Sequence, residues 1–205
     1  AMDYPDLITE REPMPGGTSI EGRPLYYVKI SDNPNESEDE PQILYTGMHH
    51  AREPGGMMVL VFYMYHLLEN YETDAEIQSL VDNTEIYIAP CVNPDGYIYN
   101  EENNPNGGGM WRKNRRDIEG SAAVGVDLNR NYGYMWGYDD SGSSPNPWDD
   151  TYRGDSAFSE PETQIIKQFC ESHEFGFAIN YHTYSDLLLY TWGYTEEPCE
   201  DDELL

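Results

Sequence analysis

The sequence is poor in positive charge. Of 205 residues, 11 are Lys or Arg and 39 are Asp or Glu, a formal net charge of −28. Only Lys29, Lys113 and Lys167 are lysines. Nucleic-acid binding needs a basic face to neutralise phosphates, and docking on anionic lipid needs a polybasic segment. The composition therefore argues against both partners. Few lysines and many acids suit a surface kept soluble by self-repulsion, as in a saline habitat.

Long apolar runs are also lacking. The longest, Met57 to Tyr65, has nine residues, against about 20 needed to cross a bilayer, so no membrane-spanning helix is predicted. No basic-then-apolar stretch marks a signal peptide at the start. Cysteine is scarce: Cys91, Cys170 and Cys199 are far apart and form no CxxC pair. That excludes a disulfide-dense scaffold but leaves open one disulfide or three thiols. Hydrophobic residues make up 38%, below the usual range. Such a composition approaches that of disordered chains, but 13% aromatics point to a folded core. The length predicts one domain.

The local pattern alternates strands and helices. Residues 24–31, 42–47, 85–92 and 176–181 read as strands. Pro54 opens a helix to about Tyr71, since proline is tolerated where its missing N–H has no partner to lose. This helix is apolar nearly all round and is expected to be well buried. Ala75–Asp82 reads as a shorter helix. Asn93–Gly96 reads as a turn and Asn100–Gly109 as a loop. Ser159 to Glu162 has capping-box spacing and opens a helix to about His173. Gly133–Tyr152 is a long loop, of a length usually tied to function. The alternation predicts an α/β fold: a mixed, largely parallel twisted sheet with helices on both faces. Ligands in such sheets bind beyond the carboxyl ends of strands, which selects the segments after Gly47 and after Tyr181.

Both segments carry histidine. His50-Ala51-Arg52-Glu53 is an H-x-x-E between a predicted strand and a predicted helix, and His182 ends another strand. Two histidines, one glutamate and an open position form a catalytic zinc pattern. His49 is an alternative to His50 but lacks the H-x-x-E spacing. His66 and His173 read as structural. Five of the 11 cations lie between 112 and 130: Arg112, Lys113, Arg115, Arg116 and Arg130. Guanidinium forks match carboxylates, so zinc with arginines nearby suggests an anionic substrate or a developing oxyanion. Some of these cations could instead balance acids such as Asp117 and Glu119. Asp139-Asp140 and Asp149-Asp150 offer oxygen ligands suited to calcium, but without EF-hand spacing solvated acids are the simpler reading.

The strings GMHHARE, NPDGY, WRKNRR, GVDLNRNY, YRG–SAFSEPET and NYHTYSDLLLY together resemble the zinc metallocarboxypeptidases of family M14, of the carboxypeptidase A/T-like, secreted bacterial type. They run in the family's order from about Tyr4 to Tyr194. The resemblance implies that His50, Glu53 and His182 hold one Zn2+, and that Arg112 stabilises the tetrahedral oxyanion. It implies that Asn129 and Arg130 grip the substrate's terminal carboxylate, and that Arg52 and Tyr184 line the outer cleft. Thr183–Tyr184 is a candidate cis peptide. The implied activity is release of C-terminal residues from peptide or protein ends by metal-activated water, in a secreted, extracellular or periplasmic enzyme.

The same resemblance implies a gap. The family's general-base glutamate and capping tyrosine lie well beyond the third ligand, whereas here only 23 residues follow His182 (205 − 182). Residues 1–205 thus read as a single partial peptidase domain, about the first two thirds of the catalytic domain. Alone it is expected to bind zinc but to hydrolyse little, with an unpaired sheet edge that the missing part of its own domain would cover. Two rival readings are a non-catalytic zinc- or peptide-binding pseudo-enzyme and a zinc deacylase or peptidoglycan-trimming relative.

Overall fold

The computed structural model describes residues 3–203. Its centre is β4 (Glu85–Ala89), buried at every position. Successive side chains on a strand face opposite ways. Ile86 and Ile88 accordingly join Ile30, Leu60, Leu67 and Val81 in one cluster. Tyr87 and Ala89 join Leu44, Ile165, Ile166 and Phe169 in another. A strand covered on both faces reads as an unbroken apolar run rather than an alternation.

Around it the sheet has the order β1-β2-β4-β3-β5, with β1 at Glu12–Pro13, β2 at Tyr26–Ile30, β3 at Gln42–Gly47 and β5 at Phe175–Tyr181. β3 runs parallel to both β4 and β5, while β2 is antiparallel to β4 and to β1. The sheet is mixed, as expected. Helices α1 (Pro54–Asn70) and α2 (Ala75–Val81) contribute to the first cluster, and α4 (Pro161–Glu171) to the second. Helices thus lie on both faces.

One register position places the site. Gly47, the last residue of β3, pairs with Tyr181, the last of β5. The residues that follow therefore leave the sheet side by side. Buried Met48 sits at φ 56°, a left-handed backbone that costs energy for a side-chain-bearing residue and commonly marks a functional turn. It turns the chain so that His49 and His50 follow. Gly56 lets α1 approach closely: a Cβ there would lie 3.1 Å from the Tyr181 carbonyl oxygen.

Several elements differ from the sequence expectation. α1 is not well buried: Met58, Val59, Phe62 and Tyr65 are exposed, Phe62 by 70%. A helix apolar on every side still has only one side toward the sheet, and among the described residues nothing covers the other. β5 is the sheet edge among those residues, with Phe177 exposed. Asn93–Gly96 is the start of a helix rather than a turn alone, α3 (Pro94–Asn103). Its Asn93 side chain accepts from Gly96 N at 3.0 Å and Pro94 occupies the first turn, so turn residues here serve as a helix cap. The capping box does not form: Glu160 is the N-cap and makes no side-chain cap bond. Its carboxylate is drawn instead to Arg116 Nε at 2.8 Å. The three cysteines are free. No helix among the described residues is long and apolar enough to cross a membrane.

The start of α4 carries a titratable device. Fully buried Glu162 shares the Asn114 amide with Glu160 and accepts from Ile20 N at 3.3 Å. Burial pushes its carboxyl up to about 7. A raised carboxyl pKa gives stability that is complete below about 4.5 and lost as pH rises through 7. The shift is worth on the order of 3 kcal/mol, or several degrees in Tm for a chain of this size. Thermal melts from pH 5 to 8 should fall more steeply for the native chain than for Glu162→Gln; parallel curves would show that Glu162 does not titrate in this window.

Candidate metal centre

His50 Nδ1 lies 2.8 Å from Glu53 Oε1, and His182 Nδ1 lies 2.9 Å from Glu53 Oε2 and 3.1 Å from His50 Nδ1. The three residues each offer an atom within 4.8 Å of the others. His50 and Glu53 are buried, whereas the His182 side chain is 32% exposed, so the cluster has an open side. Of the two adjacent histidines, His50 is the one in the cluster.

Two ring nitrogens and a carboxylate facing one point need a positive charge between them. The local acidities say the same. Burial opposes ionisation of Glu53, yet hydrogen bonds from His182, His50 and Thr183 N hold its carboxyl far below the usual range. Burial also disfavours a charged His50, but hydrogen bonds to Asp127 and Glu53 raise its pKa overall. The donors thus favour a shared positive charge, whether proton or metal. Two imidazoles, one carboxylate and an open side fit zinc.

Asp127 organises the surroundings, a role that sequence reasoning does not single out. It is fully buried. Its Oδ1 faces His50 Nε2 at 3.1 Å and accepts from Asn129 N at 3.0 Å; its Oδ2 accepts from Arg112 Nε and Nη2 at 3.1 and 2.8 Å. A carboxylate on the outer nitrogen fixes the tautomer of a metal-binding imidazole and leaves Nδ1 free to ligate. Burial works against the Asp127 charge, but His50 and Arg112 hold its pKa below the ordinary value. The available signal was an Asp heading the D-L-N-R string, an N-cap type of residue; it caps the 3-10 turn Leu128–Arg130.

The other expected site residues lie around this core. Arg112 reaches it through Asp127. Asn129 Nδ2 is 3.4 Å from His182 Nε2. Arg130 donates to the carbonyls of Gly142 and Asn129 at 2.7 and 3.1 Å. Arg52 pairs with Asp150 at 3.1 Å. Tyr184 is 96% exposed, and the Thr183–Tyr184 peptide is cis as expected.

The remaining cations between 112 and 130 are scaffold. Lys113 Nζ donates to the Pro147 and Asp149 carbonyls at 2.8 and 3.3 Å. Arg115 stacks on Tyr99 at 3.8 Å, and Arg116 pairs with Glu160. Their partners are not Asp117 and Glu119, because the local fold brings distant groups closer than sequence neighbours. The acidic loop residues are likewise engaged: Asp140 with Arg153, Asp149 with Ser144 and Asn146. His173 packs among Tyr87, Phe169 and Phe175, and exposed His66 stacks on Phe62. Neither belongs to the cluster of His50, Glu53 and His182.

A family model described as zinc carboxypeptidase matches residues 1–205. Mouse carboxypeptidase A1 is 36% identical over 205 residues, which cover 99% of this chain and 46% of that protein. A metallocarboxypeptidase A of Trichophyton tonsurans is 35% identical over 191 residues, 91% of this chain and 44% of that one. The crystal structure of the carboxypeptidase A from Helicoverpa armigera superposes with a TM-score of 0.84 at 30% identity, covering all of this chain and 47% of that one. The chain thus spans about half the length of the curated relatives it matches.

Proposed function

The chain belongs to the zinc carboxypeptidase family, and on that premise we propose that its parent protein is an exported exopeptidase releasing C-terminal residues from peptides. His50, Glu53 and His182 hold one zinc ion. The supporting observation is the convergence of these three residues beside Arg112 and Asn129. Bound there, zinc supplies Lewis acidity to water and to the scissile carbonyl.

The chain's own residues do the rest. The Arg112 guanidinium, oriented by Asp127, meets negative charge developing on the carbonyl oxygen. Asn129 and Arg130 select a chain end by hydrogen-bonding its free carboxylate, which makes cleavage exopeptidic. Arg52 and Tyr184 line the outer cleft. Among the described residues the acids at the cluster are Glu53 and Asp127, and both are engaged. Neither is free to take a proton from water, so in this reading that role falls to a group outside the cluster.

The test compares the 205-residue chain with the protein extended to its natural stop codon, on a blocked peptide with a free C-terminus. Only the longer form is expected to cleave, and a zinc chelator should stop it. Robust zinc-dependent cleavage by residues 1–205 alone would refute the division of labour. Zinc binding without cleavage by either form would favour a non-catalytic binding protein.

A further inference from the structure

Two histidines of the cluster are held in different ways. His50 is anchored through its outer nitrogen by Asp127 at 3.1 Å. His182 has no carboxylate there; its outer nitrogen meets only the Asn129 amide at 3.4 Å, a long contact for a hydrogen bond. It also sits on the cluster's open side. On the inner side it meets Glu53 Oε2 at 2.9 Å and the His50 ring at 4.6 Å; a support on its other side would complete the fixing of the ring's rotation, which decides where Nδ1 points.

His49 lies against it. The His49 and His182 rings have centroids 5.8 Å apart and planes within 29° of each other, an offset-stacked arrangement. His49 is itself locked: its Nε2 is 2.7 Å from the Tyr132 hydroxyl, and the Tyr132 ring abuts Phe158 edge-on at 5.9 Å. Its Nδ1 is buried and has no hydrogen-bond partner. An orphaned buried nitrogen is destabilising, so a residue needed only to fill this space would do better as an aliphatic side chain. A flat ring held at one angle is what an aliphatic residue cannot provide.

We infer that His49 is a positioning residue: its ring, anchored by Tyr132, is the platform that orients the metal ligand His182. The inference rests on the assignment of His50, Glu53 and His182 as zinc ligands. Outer residues that orient metal ligands typically change affinity by about 10–100-fold when lost.

The experiment measures zinc affinity by competition with a chromogenic chelator, and the visible spectrum of the cobalt(II)-loaded chain, for the native protein, His49→Leu and His49→Phe. His49→Leu fills the space without a ring and is expected to weaken zinc binding about tenfold and to shift the cobalt bands. His49→Phe restores the flat face and is expected to recover most of the affinity and the native band positions. A His49→Leu variant that matches the native chain in both measurements overturns the inference, as does a His49→Phe variant that loses as much. Should His49→Leu not fold, His49→Met fills the space without a flat face; unchanged affinity and cobalt bands there overturn the inference equally. A native chain that takes up neither metal overturns the metal-centre assignment itself, whereas metal uptake indifferent to the side chain at 49 overturns only the platform.

Discussion

Replacing Arg112 by alanine in the full-length protein is expected to lower kcat by about 10²–10³ while leaving KM nearly unchanged. That loss corresponds to about 2.7–4 kcal/mol, the range for removing one preorganised donor to a developing oxyanion. A group that binds only the transition state moves kcat and kcat/KM together. Arg112 suits that role because it is mostly buried and pinned by two bonds to Asp127. Its orientation therefore costs nothing at the moment of reaction. The same pairing complicates the variant, since removal leaves the buried Asp127 charge with only His50 and the Asn129 N–H. The zinc content of Arg112→Ala separates the two effects. A kcat loss at native zinc affinity assigns the effect to Arg112 itself; an equal loss of zinc and rate would assign it to His50 acting through Asp127. Lysine at 112 should rescue only part of the rate, because it cannot reproduce the fork. A kcat within a fewfold of native would remove Arg112 from the mechanism.

His50→Ala is expected to weaken zinc binding by more than a hundredfold. Zinc sites of four ligands bind with about 10–16 kcal/mol, so one ligand carries about 3 kcal/mol, just over two decades in affinity. The variant also takes one partner from Asp127, which keeps Arg112 and the Asn129 N–H. Calorimetric titration with zinc measures the effect, and near-native affinity would exclude His50 from the centre. The titration has a pH signature as well. His50 holds its proton more tightly than a free imidazole, and zinc must displace it. Binding by the native chain should therefore release a proton and weaken as pH falls, starting from above the ordinary histidine range. His50→Ala should lose that part of the dependence.

Much of this is legible in the sequence because it is local. Strands β3, β4 and β5 announce themselves as short apolar runs. Pro54 and Pro161 mark helix starts, and His50-x-x-Glu53 places two donors of a tight turn on one side. Where local signals fail, they are ambiguous by nature. Asn93-Pro94-Asp95-Gly96 suits a turn and a helix cap equally, so nothing local announces α3. The run from Met57 to Tyr65 says apolar without saying which side meets the sheet, so it does not disclose the exposure of Phe62.

Local chemistry along the chain thus set the order of strands and helices, the H-x-x-E turn and the motifs that together specify the family. What no spacing encodes fell to the packing of the folded chain. The pairing of Gly47 with Tyr181 brings His50 and His182, 132 positions apart, to 3.1 Å. The burial of Asp127 ties His50 to Arg112. The sorting of cations between site and scaffold depends on partners such as Glu160 and the Pro147 carbonyl. The stacking of His49 on His182 depends on where the two strands end. Periodicity and propensity act over a few residues, whereas metal ligation, ion pairing and ring stacking depend on through-space distance. Sheet register and close packing set that distance.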